Sequence, residues 1–220
     1  MKKTKIFIAC DTTNLVKVKK IINQSKTNKI KIGYKFGLEF MNSKNGRTFL
    51  AKLRKKIIFV DLKLNDTVNT MLSAVKALKD IKINYLTVHI SSGLAALKAV
   101  KKISGPTKIV GVTTLTSLNN NDLKLIGYNK SVKNLVAHQA KLAKKANLDA
   151  LVCSPYEVSA VRKIFKKEII TPGVQIGKKN YDQKRSMEVR KVKSDWLVIG
   201  RAITRGNIKK NIQNLSKILR

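Results

Sequence analysis

The sequence predicts an α/β protein, a single (β/α)8 barrel of the TIM type over residues 1–220, from three observations. Eight short runs rich in Ile and Val recur along the chain. Longer amphipathic stretches separate them. Charged side chains gather at the C-terminal ends of the first three runs, where barrels of this class build their chemistry. A chain of 220 residues is enough for one domain with a sizeable core and too short for two comfortable ones.

In chain order the runs are Ile6–Asp11, Ile30–Phe36, Ile57–Lys63, Tyr85–Ile90, Ile109–Thr114, Ala150–Ser154, Ile169–Gly173 and Trp196–Gly200. Each is close to the usual strand of about five or six residues. Between the first two, apolar positions 15, 18, 21 and 22 make a helical stripe with lysines on the opposite face. Residues 67–79, 93–103, 132–146, 156–165 and 207–219 read the same way. Strands alternating with helices call for right-handed crossovers and a parallel sheet buried on both faces. At eight repeats the economical solution is closure, although the chain is compact beside a typical ~250 residues. The longest interval, Thr114 to Ala150, holds a short extra helix near Asn121–Leu125. No linker or composition break marks a second domain.

Hydrophobic residues make up 43% and aromatics only 5%, so Ile, Leu, Val and Ala are expected to supply most of the core. No apolar run reaches the ~20 residues of a membrane span. The basic start is followed by Ile6–Cys10, too short for a signal-peptide core, so a cytoplasmic protein is expected. Cys10 and Cys153 sit in short apolar runs and read as buried reduced thiols. With only His89 and His138 besides, and no ligand spacing, no metal site is expected. A net charge of +35 suits nucleic-acid binding. The distribution argues otherwise: of 39 lysines, 22 lie in residues 1–110, and no aromatics are interleaved among them as a stacking platform. Lysine abounds together with Ile and Asn, which points to an A/T-rich genome. Attraction for small anions follows in any case.

Asp11 closes the first run, Lys35 the second, and Asp61 with Lys63 the third. Alternation along a strand turns Asp61 and Lys63 to one side, the barrel interior. Buried charges persist when paired, so a deliberate polar cluster and a simple interior ion pair explain this segment equally well. Asp66 also reads as the N-cap of the helix beginning near Thr67. Lys31 and Lys35 share a strand face, but only Lys35 lies at the C-terminal end beside the other charges. His89, Tyr34, Met41 and Trp196 read as packing or rim residues.

The segment Asp61-Leu62-Lys63-Leu64-Asn65-Asp66 followed by Asn69-Thr70 resembles the DxKxxD…NT signature of orotidine 5′-phosphate decarboxylases. The resemblance runs nearly end to end. Ala9-Cys10-Asp11-Thr12-Thr13 is similar to the family's opening, and Lys35-Phe36-Gly37-Leu38-Glu39-Phe40 to KVGLELF. Thr114-Leu115-Thr116-Ser117 is similar to VLTS, Leu148–Ser154 to LDGVVCS, and Thr171-Pro172-Gly173-Val174 to TPGI. Asp182-Gln183-Lys184-Arg185 resembles GDQ-[KR]-R, and Val198–Thr204 resembles VIGRPIT. One such match is weak; this many in order are specific.

The resemblance implies cofactor-free loss of CO₂ from C6 of orotidine 5′-phosphate. The carbanion left behind cannot delocalise into the ring carbonyls, so it needs positive charge and a proton where it forms. Lys63 is implied as the ammonium that stabilises and protonates C6, with Asp61 near the departing carboxylate. Lys35 and Asp66 are implied to complete an alternating Asp–Lys row that favours the ionised form of each member. In the family Asp66 and Thr70 enter from the neighbouring subunit, which implies a homodimer with shared sites. Asp11 is implied for the ribose, Thr116 and Ser117 for the pyrimidine, and Gln183, Gly200 and Arg201 for the phosphate. Binding energy at that remote phosphate helps to close loops and orient the base.

Two departures stand out. Gln175 replaces the arginine that many bacterial relatives carry after TPGI, leaving one phosphate contact to Lys178 or Lys179. Asp66-Thr67-Val68-Asn69-Thr70 also lacks the proline of the DIPNT-like stretch. The rivals are a Mg²⁺-dependent sugar-phosphate lyase of the same superfamily and a non-catalytic basic binding protein. Lys35 stands where the lyases carry a metal-facing carboxylate, and the intact Asp61, Lys63 and Asp66 argue against a barrel that has lost catalysis.

Overall fold

The computed structural model describes residues 5–175 and 187–219. Eight parallel strands close into a barrel: β1 Lys5–Ala9, β2 Lys31–Gly37, β3 Ile57–Leu64, β4 Tyr85–His89, β5 Lys108–Val112, β6 Ala150–Val152, β7 Glu168–Thr171 and β8 Trp196–Ile199. Closure is made by β1 beside β8, in register from Lys5↔Trp196 to Ile8↔Ile199. Every expected run forms a strand, with ends displaced by no more than two residues, as is usual where pairing frays.

Helices follow where the apolar stripes fall. In α1 (Leu15–Gln24) Val18, Ile21 and Ile22 are buried, and the Asn14 side chain caps the first turn through the Lys17 N–H at 3.0 Å. Four further helices lie on the barrel wall: α4 (Val68–Ala77), α5 (Gly93–Ile103), α7 (Val132–Lys145) and α8 (Val158–Ile164). The last, α10 (Ile208–Ile218), is capped by Asn207. The extra helix in the long interval is α6 (Asn120–Leu125), held by a reciprocal capping box between Asn119 and Asp122.

Three short helices have no counterpart in the sequence reading: α2 (Leu38–Met41), α3 (Gly46–Lys52) and α9 (Arg201–Thr204). At one or two turns they are too short to show an apolar period. Val174–Gln175 and Met187–Glu188 make a small parallel pair outside the barrel. Among the described residues no helix is long and apolar enough to cross a membrane.

Ile, Leu, Val and Ala do fill the layer between barrel and helices, but the barrel's own centre is aromatic. Phe7 stacks on Trp196 with ring centroids 4.0 Å apart, and Phe59 and Tyr85 pack edgewise or tilted against them. Gly33 on β2 makes room for this: a Cβ there would lie 2.6 Å from the Phe7 ring. Trp196 is therefore a central packing residue, and Tyr34 is buried with its hydroxyl 2.8 Å from Ser25 Oγ.

Below the aromatic layer, at the N-terminal end of the strands, Glu168 gathers four donors. They are Lys5 Nζ (2.8 Å), Lys108 Nζ (2.9 Å), Tyr85 OH (2.9 Å) and Trp196 Nε1 (3.3 Å). Burial raises the Glu168 carboxyl, but hydrogen bonds from Lys5, Lys108 and Tyr85 outweigh it and hold the pKa at about 2.

Candidate active site

Above the aromatic layer the strand ends open into a cavity of about 550 Å³. Its wall includes Asp11, Lys35, Asp61, Lys63, Thr116, Gly200 and Arg201, contributed by loops or ends of β1, β2, β3, β5 and β8. Pro172 and Gly173, after β7, close another side; Gly173 has φ 74°, which suits a glycine.

Four of these charges form a chain of ion pairs. Asp11 Oδ1 lies 3.0 Å from Lys35 Nζ, Lys35 Nζ lies 3.6 Å from Asp61 Oδ2, and Lys63 Nζ lies 3.0 Å from both Asp61 oxygens. Burial disfavours the charge on Asp61, yet Lys35, Lys63 and the Thr87 hydroxyl hold its pKa below the ordinary carboxylate value. Lys35 is treated alike: burial would lower it, and Asp61 and Asp11 raise it above the usual lysine value. At neutral pH both are ionised.

Lys31, by contrast, pairs with Lys5 at the opposite end of β2 and is exposed.

Strict alternation does not account for how Lys63 arrives. The β3–β4 register shifts between Val60 and Leu64, and Lys63 itself has a left-handed backbone with φ 50°. For a residue with a Cβ this costs about 1–3 kcal/mol unless the surroundings impose it. Here Thr87 contributes. Its buried Oγ1 accepts the Lys63 backbone N–H at 2.8 Å and donates to Asp61 Oδ1 at 3.0 Å. One hydroxyl therefore orients both the carboxylate and the residue that bears the ammonium. Thr87 was missed because a threonine inside a strand run reads as β-propensity alone.

His89, read from the sequence as a packing or rim residue, closes β4 at the edge of the site with its Nδ1 3.0 Å from Ser91 Oγ. Burial and then the Lys63 charge lower its pKa, so the ring is neutral at pH 7.

The alternating row within one chain is completed by Asp11, not by Asp66. Asp66 is exposed, outside the cavity wall, and its Oδ1 accepts the Thr67 N–H at 2.6 Å. That contact lies one residue ahead of the cap expected for it, since Thr67 is the N-cap of α4 and carries no side-chain cap bond. Thr70 is also exposed, 3.0 Å from Thr67 Oγ1. Thr116 lines the cavity; Ser117 is exposed beyond it. Gly200 and Arg201 line it at β8. Gln183, Lys178 and Lys179 lie outside the described residues. Gln175 is in the small strand pair, its backbone in register with Glu188.

Cys10 and Cys153 are both buried and in no disulfide, and burial together with Asp11 pushes the Cys10 thiol up to about 12. Among the described residues no group of three or more His, Cys, Asp or Glu is arranged to hold a metal ion.

A profile of the orotidine 5′-phosphate decarboxylase / HUMPS family matches residues 4–212. The orotidine 5′-phosphate decarboxylase of Wolbachia sp. subsp. Brugia malayi (strain TRS) is 38% identical over 220 residues, covering 96% of each sequence. That of Wolbachia pipientis subsp. Culex pipiens (strain wPip) is 39% identical over 209 residues, covering 90% of this chain and 91% of the relative. The crystal structure of the decarboxylase from Lactobacillus acidophilus aligns with a TM-score of 0.84 at 27% identity, over 99% of each chain. The enzyme from Methanocaldococcus jannaschii, complexed with the inhibitor BMP, shares the fold with a TM-score of 0.79 at 21% identity over 99% of each chain.

Proposed function

Because this chain belongs to the orotidine 5′-phosphate decarboxylase / HUMPS family, we propose a residue-level account of how its strand-end charges perform the reaction. The reaction itself is the decarboxylation of orotidine 5′-phosphate to UMP, a step of pyrimidine biosynthesis. The observation that carries the account is the Asp11–Lys35–Asp61–Lys63 row on the cavity wall.

In this reading the C6–carboxylate bond breaks and its electron pair remains on C6. The Lys63 ammonium, fixed by Asp61 and by its own tethered backbone, stabilises that pair and gives C6 a proton. Asp61 is held ionised by two lysines, so it stays an anion beside the leaving carboxylate. Lys35 links Asp61 to Asp11, which is then set to meet the ribose hydroxyls. Thr116 and Ser117 serve the pyrimidine. Gly200 and Arg201, with Gln183, serve the phosphate, whose binding orients the base from a distance.

Asp66 and Thr70 act in the partner's site of a cytoplasmic homodimer. Supporting this, both are exposed at the start of α4, beside the exposed apolar Val68, and Leu38 at the adjoining end of β2 is 53% exposed. The test is an assay of orotidine 5′-phosphate loss with and without EDTA. Equal, saturable conversion to UMP is expected; conversion abolished by the chelator would overturn the account.

A further inference from the structure

A second cavity, of about 510 Å³, lies against the first between the segments that follow β1 and β8. The two share Ala9, Asp11, Gly200 and Arg201 as a common wall. Its remaining charges are Lys17 and Lys20 on α1 and Arg205 after α9, all exposed. Among the described residues none of these three has an ion-pair partner. Among the described residues the one carboxylate on the wall, Asp11, is already engaged by Lys35 at 3.0 Å.

Lysines cover this surface everywhere, so positive charge alone distinguishes nothing. What is particular here, among the described residues, is concavity, a lining whose carboxylate is already engaged, and direct adjacency to the site across Gly200 and Arg201. Like charges gathered round a hollow repel one another, and a bound polyanion relieves that repulsion.

We propose that this cavity is a subsite for the second and third phosphoryl groups of a nucleoside 5′-di- or triphosphate whose nucleoside occupies the substrate cavity. The inference rests on the decarboxylase reading, in which Gly200 and Arg201 hold the first phosphate. A longer chain of phosphates leads from there past the shared wall towards Lys17, Lys20 and Arg205. More highly phosphorylated forms of the enzyme's own product would thereby hold it inactive.

The test compares competitive inhibition by UMP, UDP and UTP, in EDTA so that no divalent cation masks the phosphates. With wild type, UDP and UTP should bind about tenfold more tightly than UMP, the scale of added charge-assisted hydrogen bonds. The triple variant Lys17→Gln/Lys20→Gln/Arg205→Gln should lose that advantage while keeping its kcat and its affinity for UMP. Lys144→Gln, on the last turn of α7, should behave as wild type.

UDP and UTP binding no better than UMP would overturn the proposal, as would equal weakening of all three nucleotides in the triple variant. Pyrophosphate that binds wild type but not the triple variant, with UDP no tighter than UMP, would assign the cavity to a free anion instead. No inhibition by UMP at any concentration would bring down the decarboxylase reading itself.

Discussion

The backbone of Lys63 is tied to the side chain of Thr87: the Lys63 N–H donates to Thr87 Oγ1 at 2.8 Å, and the same hydroxyl donates to Asp61 Oδ1 at 3.0 Å. Thr87→Val keeps the shape and removes both bonds, one of them to a charged group. Losing such bonds costs about 1–3 kcal/mol. If that loss falls on the transition state, kcat drops about tenfold to a hundredfold. Steady-state kinetics should show the drop in kcat with little change in KM, and Thr87→Ser should restore most of it. Valine at wild-type kcat would mean that Lys63 is held without Thr87.

Lys63→Ala removes the ammonium 3.0 Å from Asp61. Turnover is expected to fall by several orders of magnitude while UMP still binds, because the phosphate contacts are remote. Single-turnover kinetics with calorimetric UMP titration checks both halves; near-normal turnover would remove Lys63 from the chemistry.

Lys35→Ala should damage kcat far more than Lys31→Ala. Lys35 bridges Asp11 and Asp61, whereas Lys31 is exposed beside Lys5 at the far end of β2. Parallel kinetics of the two variants decides it, and the reverse ranking would refute the role given to Lys35.

Asp66 lies outside the cavity wall of its own chain. An inactive Lys63→Ala protein mixed with an inactive Asp66→Ala protein should therefore regain activity on subunit exchange. Each mixed dimer has one site carrying both lesions and one carrying neither, so recovery approaches about half of wild type per mixed dimer. No recovery despite demonstrated exchange would return Asp66 to its own barrel.

Glu168 gives the fold a pH signature of its own. Its carboxyl ionises near 2 in the folded protein against an ordinary value of 4.5, so it stabilises above about pH 4.5. That contribution is lost as pH falls through 2. Urea unfolding midpoints should decline over this window, and Glu168→Gln should be less stable at pH 7 with a flatter decline. An unchanged slope would mean that other carboxylates set the acid limit.

The barrel was legible because eight Ile- and Val-rich runs alternate with helical stripes, and each run became a strand. The charge row was legible in part, because Asp11, Lys35, Asp61 and Lys63 all fall at strand ends. Lys63's left-handed backbone was not, since register shifts leave no mark on an alternating pattern. Nor was Thr87, whose role depends on β4 lying beside β3. The aromatic centre escaped for a related reason: Phe7, Phe59, Tyr85 and Trp196 come from four separate strands, and only closure brings them together.

Those four rings are buried and fill the barrel beneath the charge row, so among the described residues water approaches the row from the cavity at the strand ends. Lys63 stands on that side, 36% exposed against 13% for Lys35 and Asp61. Under its proposed role it surrenders one proton per turnover and must regain one. In that role a nucleotide lying across the mouth stands in the way of water, so the lysine is recharged after product departs. The hydrogen that ends on C6 is then a record of the solvent the empty enzyme last met. A barrel open at both ends would lose that memory; with Lys63 in its proposed role this one would be a single-shot acid, loaded before its substrate arrives.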